Sequence, residues 1–377
     1  MAVLTGQLTF FSAACLMGRL LALIGATAVL LWPALPCAAK ADARSVIAAT
    51  QAIGPGGIQE LKAVEIGGIP QWINIRGNDR SNPILLFLHG GPGSPMMPLS
   101  WTFQRPWEDF FTVVQWDQRG SGKTFSAARR RPDSTLSIEH MQADTEELIE
   151  WLLRTYGHKR LFLMGHSWGS ILGLRVAQHR PELLYAYVGV GQVINGQRNE
   201  VVGYQETLAL AQAAGNHAAI RELTDIAPYP AEQGPTPLEK VIVERKWDRF
   251  FGGMLYGKAE EDDARIGALS SVYTEYDLRS VERGELISDQ ALLPQALSVD
   301  FDQMTDFKCP IFFFAGAEDR TTPTSIVEEY FAKIHAPDKK LFRVPRAAHY
   351  VVNEAPGVVL VDLVNDVRPL AQTPAPP

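Results

Sequence analysis

The stretch that most constrains this chain is Gly165-His166-Ser167-Trp168-Gly169, which follows the apolar run Leu161 to Met164 and leads into the helix-like Ser170 to Gln178. An apolar run, a tight turn holding a serine and then a helical pattern predict a strand–turn–helix unit that presents the serine on a strained backbone. Such a turn brings neighbouring backbone close on both sides of the serine. Small residues are needed two positions before and after it, and Gly165 and Gly169 supply them.

The strand of that unit needs a sheet to sit in, and the rest of the chain provides one. Gln59 to Ile66 and Ile69 to Arg76 alternate around Gly67-Gly68 and predict a hairpin. Pro83 to Leu88 and Phe111 to Trp116 are continuous apolar runs, as expected of strands buried on two faces. Ile138, Met141, Leu148, Ile149 and Leu152 recur at helical spacing before Gly157, and a further strand is expected near Tyr185 to Val190. The alternation resumes with Ile311 to Ala315, Thr324 to Ile334, Leu341 to Val344 and Gly357 to Val367. A mostly parallel sheet with helices on both faces follows. Between Asn195 and Asp306 the rhythm changes to helical patterns alone, such as Thr207 to Leu223 and Pro237 to Phe251, which predicts an inserted helical cap. The expected organisation is a leading segment over residues 1–39, a core over 40–194 and 307–368, the cap over 195–306, and a disordered tail over 369–377.

The first 39 residues carry one side-chain charge, Arg19, followed by the apolar run Leu20 to Leu35 and the small residues Ala38 and Ala39. This pattern predicts a secretory signal and a periplasmic or secreted protein, with translation starting at Met17; an uncleaved membrane anchor is the alternative. Two of the three cysteines, Cys15 and Cys37, fall in this segment. Cys309 is left alone, so no internal disulfide is possible, and it reads as a small buried hydrophobe.

At 377 residues with 46% hydrophobic and 20% charged residues, the chain can bury a large core. A net charge of -7, without a basic cluster, argues against nucleic acid as a partner and for a small-molecule or short-peptide substrate. The oligomeric state stays open.

A serine hydroxyl becomes a nucleophile only beside a base that a carboxylate orients. Along a sheet of this kind the order is serine, acid, base. Asp319 follows the strand at Ile311, and His349 follows the strand at Leu341, with Glu318 and His335 as rivals. His335 falls at a helix end and reads as a capping residue. An oxyanion also needs donors. His89-Gly90-Gly91-Pro92-Gly93 follows the strand at Pro83, so the backbone N–H groups of Gly91 and Trp168 are the candidates; Pro92 has none. His89 and His166 read as braces for these loops. Gly120-Ser121-Gly122-Lys123-Thr124 ends like a phosphate-binding loop, but Asp117 occupies the position of that motif's first glycine, so no nucleotide is expected. No His/Glu or Cys pair has zinc spacing, and neither metal nor cofactor is expected. Glu260 to Asp263 reads as a solvated face.

Taken with Trp116-Asp117-Gln118-Arg119-Gly120-Ser121-Gly122, these motifs make the chain resemble, from about Gln59 to Val367, the proline iminopeptidase branch of the α/β-hydrolase fold. The resemblance implies a Ser167, Asp319, His349 triad beneath a helical cap. It also implies cap glutamates that hold a peptide's free amino terminus, one of them in a Trp-Glu pair. Here the nearest match is Trp247-Asp248, with Glu244 and Glu275 as further candidates, and the strand after the elbow helix reads Val188-Gly189-Val190-Gly191-Gln192 where the family has Arg-Gly. The expected activity is that of an exported serine hydrolase, either an aminopeptidase releasing N-terminal proline or a carboxylesterase acting on small esters. A non-catalytic ligand-binding protein on the same fold is the reading from another class.

Overall fold

The structure is a computed structural model that describes residues 42–130, 133–258 and 262–372. The signal-like segment, Glu260, Glu261 and the end of the tail from Thr373 lie outside the described residues.

Eight strands form one sheet in the order β1-β2-β4-β3-β5-β6-β7-β8. The strands are β1 (Ile58–Ile66), β2 (Ile69–Gly77), β3 (Ile84–Leu88), β4 (Thr112–Asp117), β5 (Leu161–His166), β6 (Leu184–Val190), β7 (Ile311–Gly316) and β8 (Lys339–Val344). β1 pairs antiparallel with β2 through a turn in which Gly67 and Gly68 both have positive φ, and β2 pairs antiparallel with β4. Every later pairing is parallel.

The apolar runs are continuous because both faces of the sheet are covered. Along β3, Ile84, Leu86 and Leu88 enter one core with Met141, Leu148 and Leu152 of helix Ile138–Tyr156. Leu85 and Phe87 point the other way, to Phe103, Trp107, Val359 and Leu363. Each such side chain contributes about 1.5–3 kcal/mol by leaving water. Helix Ile138–Tyr156 begins where Ser137 accepts from the His140 N–H at 3.2 Å and ends at Gly157, φ 74°. Cys309 is buried in the same core, which pushes its thiol up to about 12.

Between β6 and β7 the described residues form helices Gly196–Ala213, His217–Asp225, Leu238–Phe250, Asp263–Gly267 and Glu275–Leu297. The pattern expected to run as one helix from Thr207 to Leu223 breaks at Ala214–Asn216. Gly215 takes positive φ there, and Asn216 caps the second helix by accepting from the Ala219 N–H. The longest helix, Glu275–Leu297, is fastened to the core at its start. Lys123 Nζ meets Asp277 at 2.7 Å, Ser126 donates to Asp277 at 2.7 Å, and the Tyr273 hydroxyl donates to Asp117.

Two local expectations are corrected. The disordered tail does not begin at residue 369: Arg368–Ala371 forms a turn of 3-10 helix, with Arg368 Nε donating to the Phe110 carbonyl and Leu370 packed on the core. His335 does not cap its helix. Its backbone pairs with Thr305 and Phe307, and Lys339 Nζ donates instead to the carbonyls of Phe331 and Ile334. The four-carbon stem of lysine reaches those last carbonyls from the next strand.

Candidate active site

The loops that carry Gly91, Ser167, Asp319 and His349 all leave the carboxyl ends of parallel strands, where sites on open sheets collect. Ser167 follows β5 directly, with φ 52° and ψ -119°, an unfavourable region for a residue with a side chain. The reason for the flanking glycines is measurable. A Cβ at Gly165 would lie 2.4 Å from the Gly169 carbonyl oxygen, and one at Gly169 would lie 2.2 Å from the Leu88 carbonyl oxygen. The Ser167 N–H donates to the Val190 carbonyl, which anchors the turn to the next strand.

Asp319 and His349 meet after β7 and β8. His349 Nδ1 lies 2.9 Å from Asp319 Oδ2, and both residues are buried. Thr322, which no sequence motif singled out, orients the carboxylate twice: its N–H donates to Oδ1 and its hydroxyl to Oδ2, each at 2.8 Å. The spacing Asp319-x-x-Thr322, a turn in which an acid accepts from a following N–H, is the signal that could have found it. Glu318 is exposed, and His335 pairs with Asp306 on the surface. The loop bearing His349 is tied to the serine turn, since His166 Nε2 lies 3.0 Å from the His349 carbonyl and the two rings are 4.9 Å apart. From the other side, cap carbonyls of Gly253 and Met254 accept from the N–H groups of His349 and Tyr350. Glu354 accepts from the Ala348 N–H at 2.7 Å.

His89 and His166 brace loops as expected. Burial drives His166 down to about 3, helped by His349, and drives His89 down to about 4, so both rings are neutral at pH 7. His89 Nδ1 lies 2.8 Å from the Gly90 carbonyl. Lys123, the residue that gave the phosphate-loop likeness, is committed to Asp277.

A cavity opens beside the serine, and its wall includes Gly91, Ser167, Trp168, Glu200, Arg245 and Thr322. Of the cap carboxylates expected there, Glu275 does not reach it. It stands exposed in the first turn of its helix and pairs with Arg279 at 3.2 Å, because the capping box of Thr274 and Asp277 turns that end of the helix so that Asp277 faces the core. Glu244 and Asp248 are fully buried one layer behind the wall. Asp248 meets Arg320 Nε at 3.2 Å and accepts from Thr321 at 2.9 Å. Glu244 takes one Arg245 nitrogen, and Glu200 takes the other together with the Tyr229 hydroxyl. Burial pushes Glu244 up to about 8 and raises Asp248 as well. Glu200 escapes a reading of the sequence because the first turns of the cap carry no motif.

The family model described as alpha/beta hydrolase fold matches residues 83–356. Over 314 residues the chain is 32% identical to the probable aminopeptidase YbaC of Bacillus subtilis, an alignment that spans 82% of this chain and 96% of that protein. A probable proline iminopeptidase of Streptomyces coelicolor is 38% identical over 128 residues, 33% of this chain and 37% of that one. Among solved structures, the proline iminopeptidase of Mycobacterium smegmatis superposes with a TM-score of 0.58 at 15% identity, covering 83% of this chain and 99% of that one. With this sheet, this serine turn and these relatives, the chain belongs to the α/β hydrolase fold family and within it is proline iminopeptidase-like.

Proposed function

We propose that this protein is a serine hydrolase in which Ser167 is the nucleophile, His349 the general base and Asp319 the group that fixes the imidazole tautomer. The observation that carries the proposal is a serine held at φ 52° on the sheet's rim, with its turn tied to the loop of a buried His349–Asp319 pair. Asp319 accepts from His349 Nδ1–H, so Nε2 is the acceptor for the Ser167 proton. The alkoxide adds to the substrate carbonyl carbon, and the N–H groups of Gly91 and Trp168 donate to the oxyanion. Trp168 opens helix Trp168–His179, where the first N–H groups have no partner within the helix. His349 then passes its proton to the leaving nitrogen or oxygen as that bond breaks. Water, deprotonated by the same Nε2, adds to the acyl-enzyme, and Ser167 leaves with its proton restored.

For substrate, we propose short peptides with a free amino terminus, proline first, in keeping with the aminopeptidase names of the relatives. Glu200 on the cavity wall is the carboxylate nearest to hand for the substrate ammonium, with Glu244 and Asp248 behind it. A small ester is the second reading. Arg245 already pairs with Glu200 and Glu244, which leaves the wall with little net negative charge and suits a neutral substrate. Residues 1–39 support a further proposal, export from the cytoplasm, which cell fractionation tests.

A fluorophosphonate probe tests the reaction type: labelling of the purified protein, lost in Ser167→Ala, is expected, and an unlabelled wild-type protein sinks the proposal. A proline arylamide and a short-chain aryl ester assayed side by side test the substrate. Turnover of the ester alone removes the peptidase reading.

A further inference from the structure

Gln118 follows β4 in the segment Trp116-Asp117-Gln118-Arg119-Gly120-Ser121-Gly122, and the proposed reaction assigns that segment no role. The residue is fully buried. Its Oε1 accepts from the indole Nε1 of Trp168 at 3.0 Å, and its Nε2 donates to the His89 carbonyl at 3.2 Å. Its backbone N–H donates to His89 Nε2 at 3.3 Å. One amide therefore holds the residue next to Ser167 and the loop that leads to Gly91. Turning the amide over would set N–H against N–H and oxygen against oxygen, so a single orientation satisfies both partners.

The surroundings keep this bridge from drifting. His89 is neutral because it is buried, and with Nδ1 donating to the Gly90 carbonyl its Nε2 accepts from the Gln118 N–H, with Ser121 Oγ also 3.0 Å from that nitrogen. On either side of Gln118 the segment is fastened to the cap: Asp117 accepts from the Tyr273 hydroxyl, and the Gly120 carbonyl accepts from Ser288 at 3.4 Å.

We propose that Gln118 is a positioning residue for the reaction, setting the spacing between the N–H groups of Gly91 and Trp168. The inference rests on the serine hydrolase reading above. Two donors from separate loops must both come within about 2.7–3.1 Å of one oxygen, and of the oxygen's place in the tetrahedral state rather than in the ground state. A spacer between the loops therefore acts on turnover more than on substrate binding.

Gln118→Met keeps the volume and removes both side-chain hydrogen bonds. With the substrate that the wild-type enzyme turns over, kcat per fluorophosphonate-titrated site falls about 10- to 100-fold while KM stays within about threefold. Affinity for an alkyl boronic acid, whose serine adduct is tetrahedral, falls by a similar factor. Gln118→Glu keeps an acceptor for Trp168 but faces the His89 carbonyl with a carboxylate, and its kcat lies between the two. A merely structural residue would lower the titrated fraction or the melting temperature and leave kcat per site and boronate affinity unchanged, and that result overturns the inference. If Gln118→Met does not fold, Trp168→Phe removes the indole donor from the same bridge, and an unchanged kcat per site there is equally fatal. Wild-type protein that the probe does not label overturns this inference and the hydrolase reading together. Labelled wild-type protein with an unaffected Gln118→Met variant overturns this inference alone.

Discussion

The strand-end loops and the helical insertion hold their charges differently. In the loops, Asp319 has a partner at each oxygen, and those partners come from a residue three positions on and from His349. In the insertion, Glu200, Glu244, Arg245 and Asp248 converge from two helices: Glu200 and Glu244 share Arg245, Asp248 reaches to Arg320, and Glu244 Oε1 is buried with no hydrogen-bond partner among the described residues. A carboxylate whose two oxygens are both held by fixed donors keeps one orientation. In a crowded buried cluster each ionisation depends on its neighbours. The loops thus fix the orientation of one carboxylate, whereas the insertion places interdependent charges beside the cavity.

The contrast can be tested at each region and at the seam between them. The largest effect is expected in the loops. Asp319→Asn leaves the packing but presents the wrong partner to His349 Nδ1, and kcat falls about 10³- to 10⁴-fold with KM little changed. A loss below tenfold in steady-state assays would mean that another group orients the base. In the insertion, Glu200→Gln removes the wall's carboxylate charge. The ratio of kcat/KM for the proline arylamide to that for the ester then drops about tenfold, the scale of one partly screened ion pair. An unchanged ratio would show that Glu200 does not read the substrate amine.

At the seam, burial pushes Asp117 up to about 7, against an ordinary value of 3.8. The folded protein therefore keeps this proton over a range in which the unfolded chain has released it. Stability is lost as the pH rises from about 4 to about 7, and the loss is complete above that. Asp117→Asn can still accept from Tyr273 and Lys123 but has no proton to lose. Its melting temperature relative to wild type should rise between pH 5 and pH 8 by a few degrees, at about 1–2 °C per kcal/mol for a chain of this size. Parallel melting curves at the two pH values would mean that Asp117 is ionised throughout.

Much of this molecule is legible in its sequence. The hairpin turn at Gly67-Gly68, the buried strands, the cap of helix Ile138–Tyr156 and the serine turn all depend on sterics and hydrogen bonds between residues a few positions apart, and such constraints leave their mark in neighbouring letters. The assignment of Glu275 fails for the opposite reason. Its helical surroundings are plain from the sequence, but the face that a helix turns inward is decided by what packs on it, and here Asp277 takes the inward place through Lys123 and Ser126. Glu200 carries no mark of its own, because one glutamate on an amphipathic helix looks like any other.

The sequence by itself determined a mostly parallel sheet, a serine on a strained turn after its central strand, and an aspartate and a histidine after later strands, since all of these rest on local backbone geometry and chain order. Only the tertiary structure decided which carboxylates reach the cavity, that Thr322 steadies Asp319, and that Gln118 spans two loops. Those are meetings of side chains far apart in the chain or turned toward one another by the fold. Their partners are chosen by helix packing and by the need to satisfy buried polar groups, and no short motif records either.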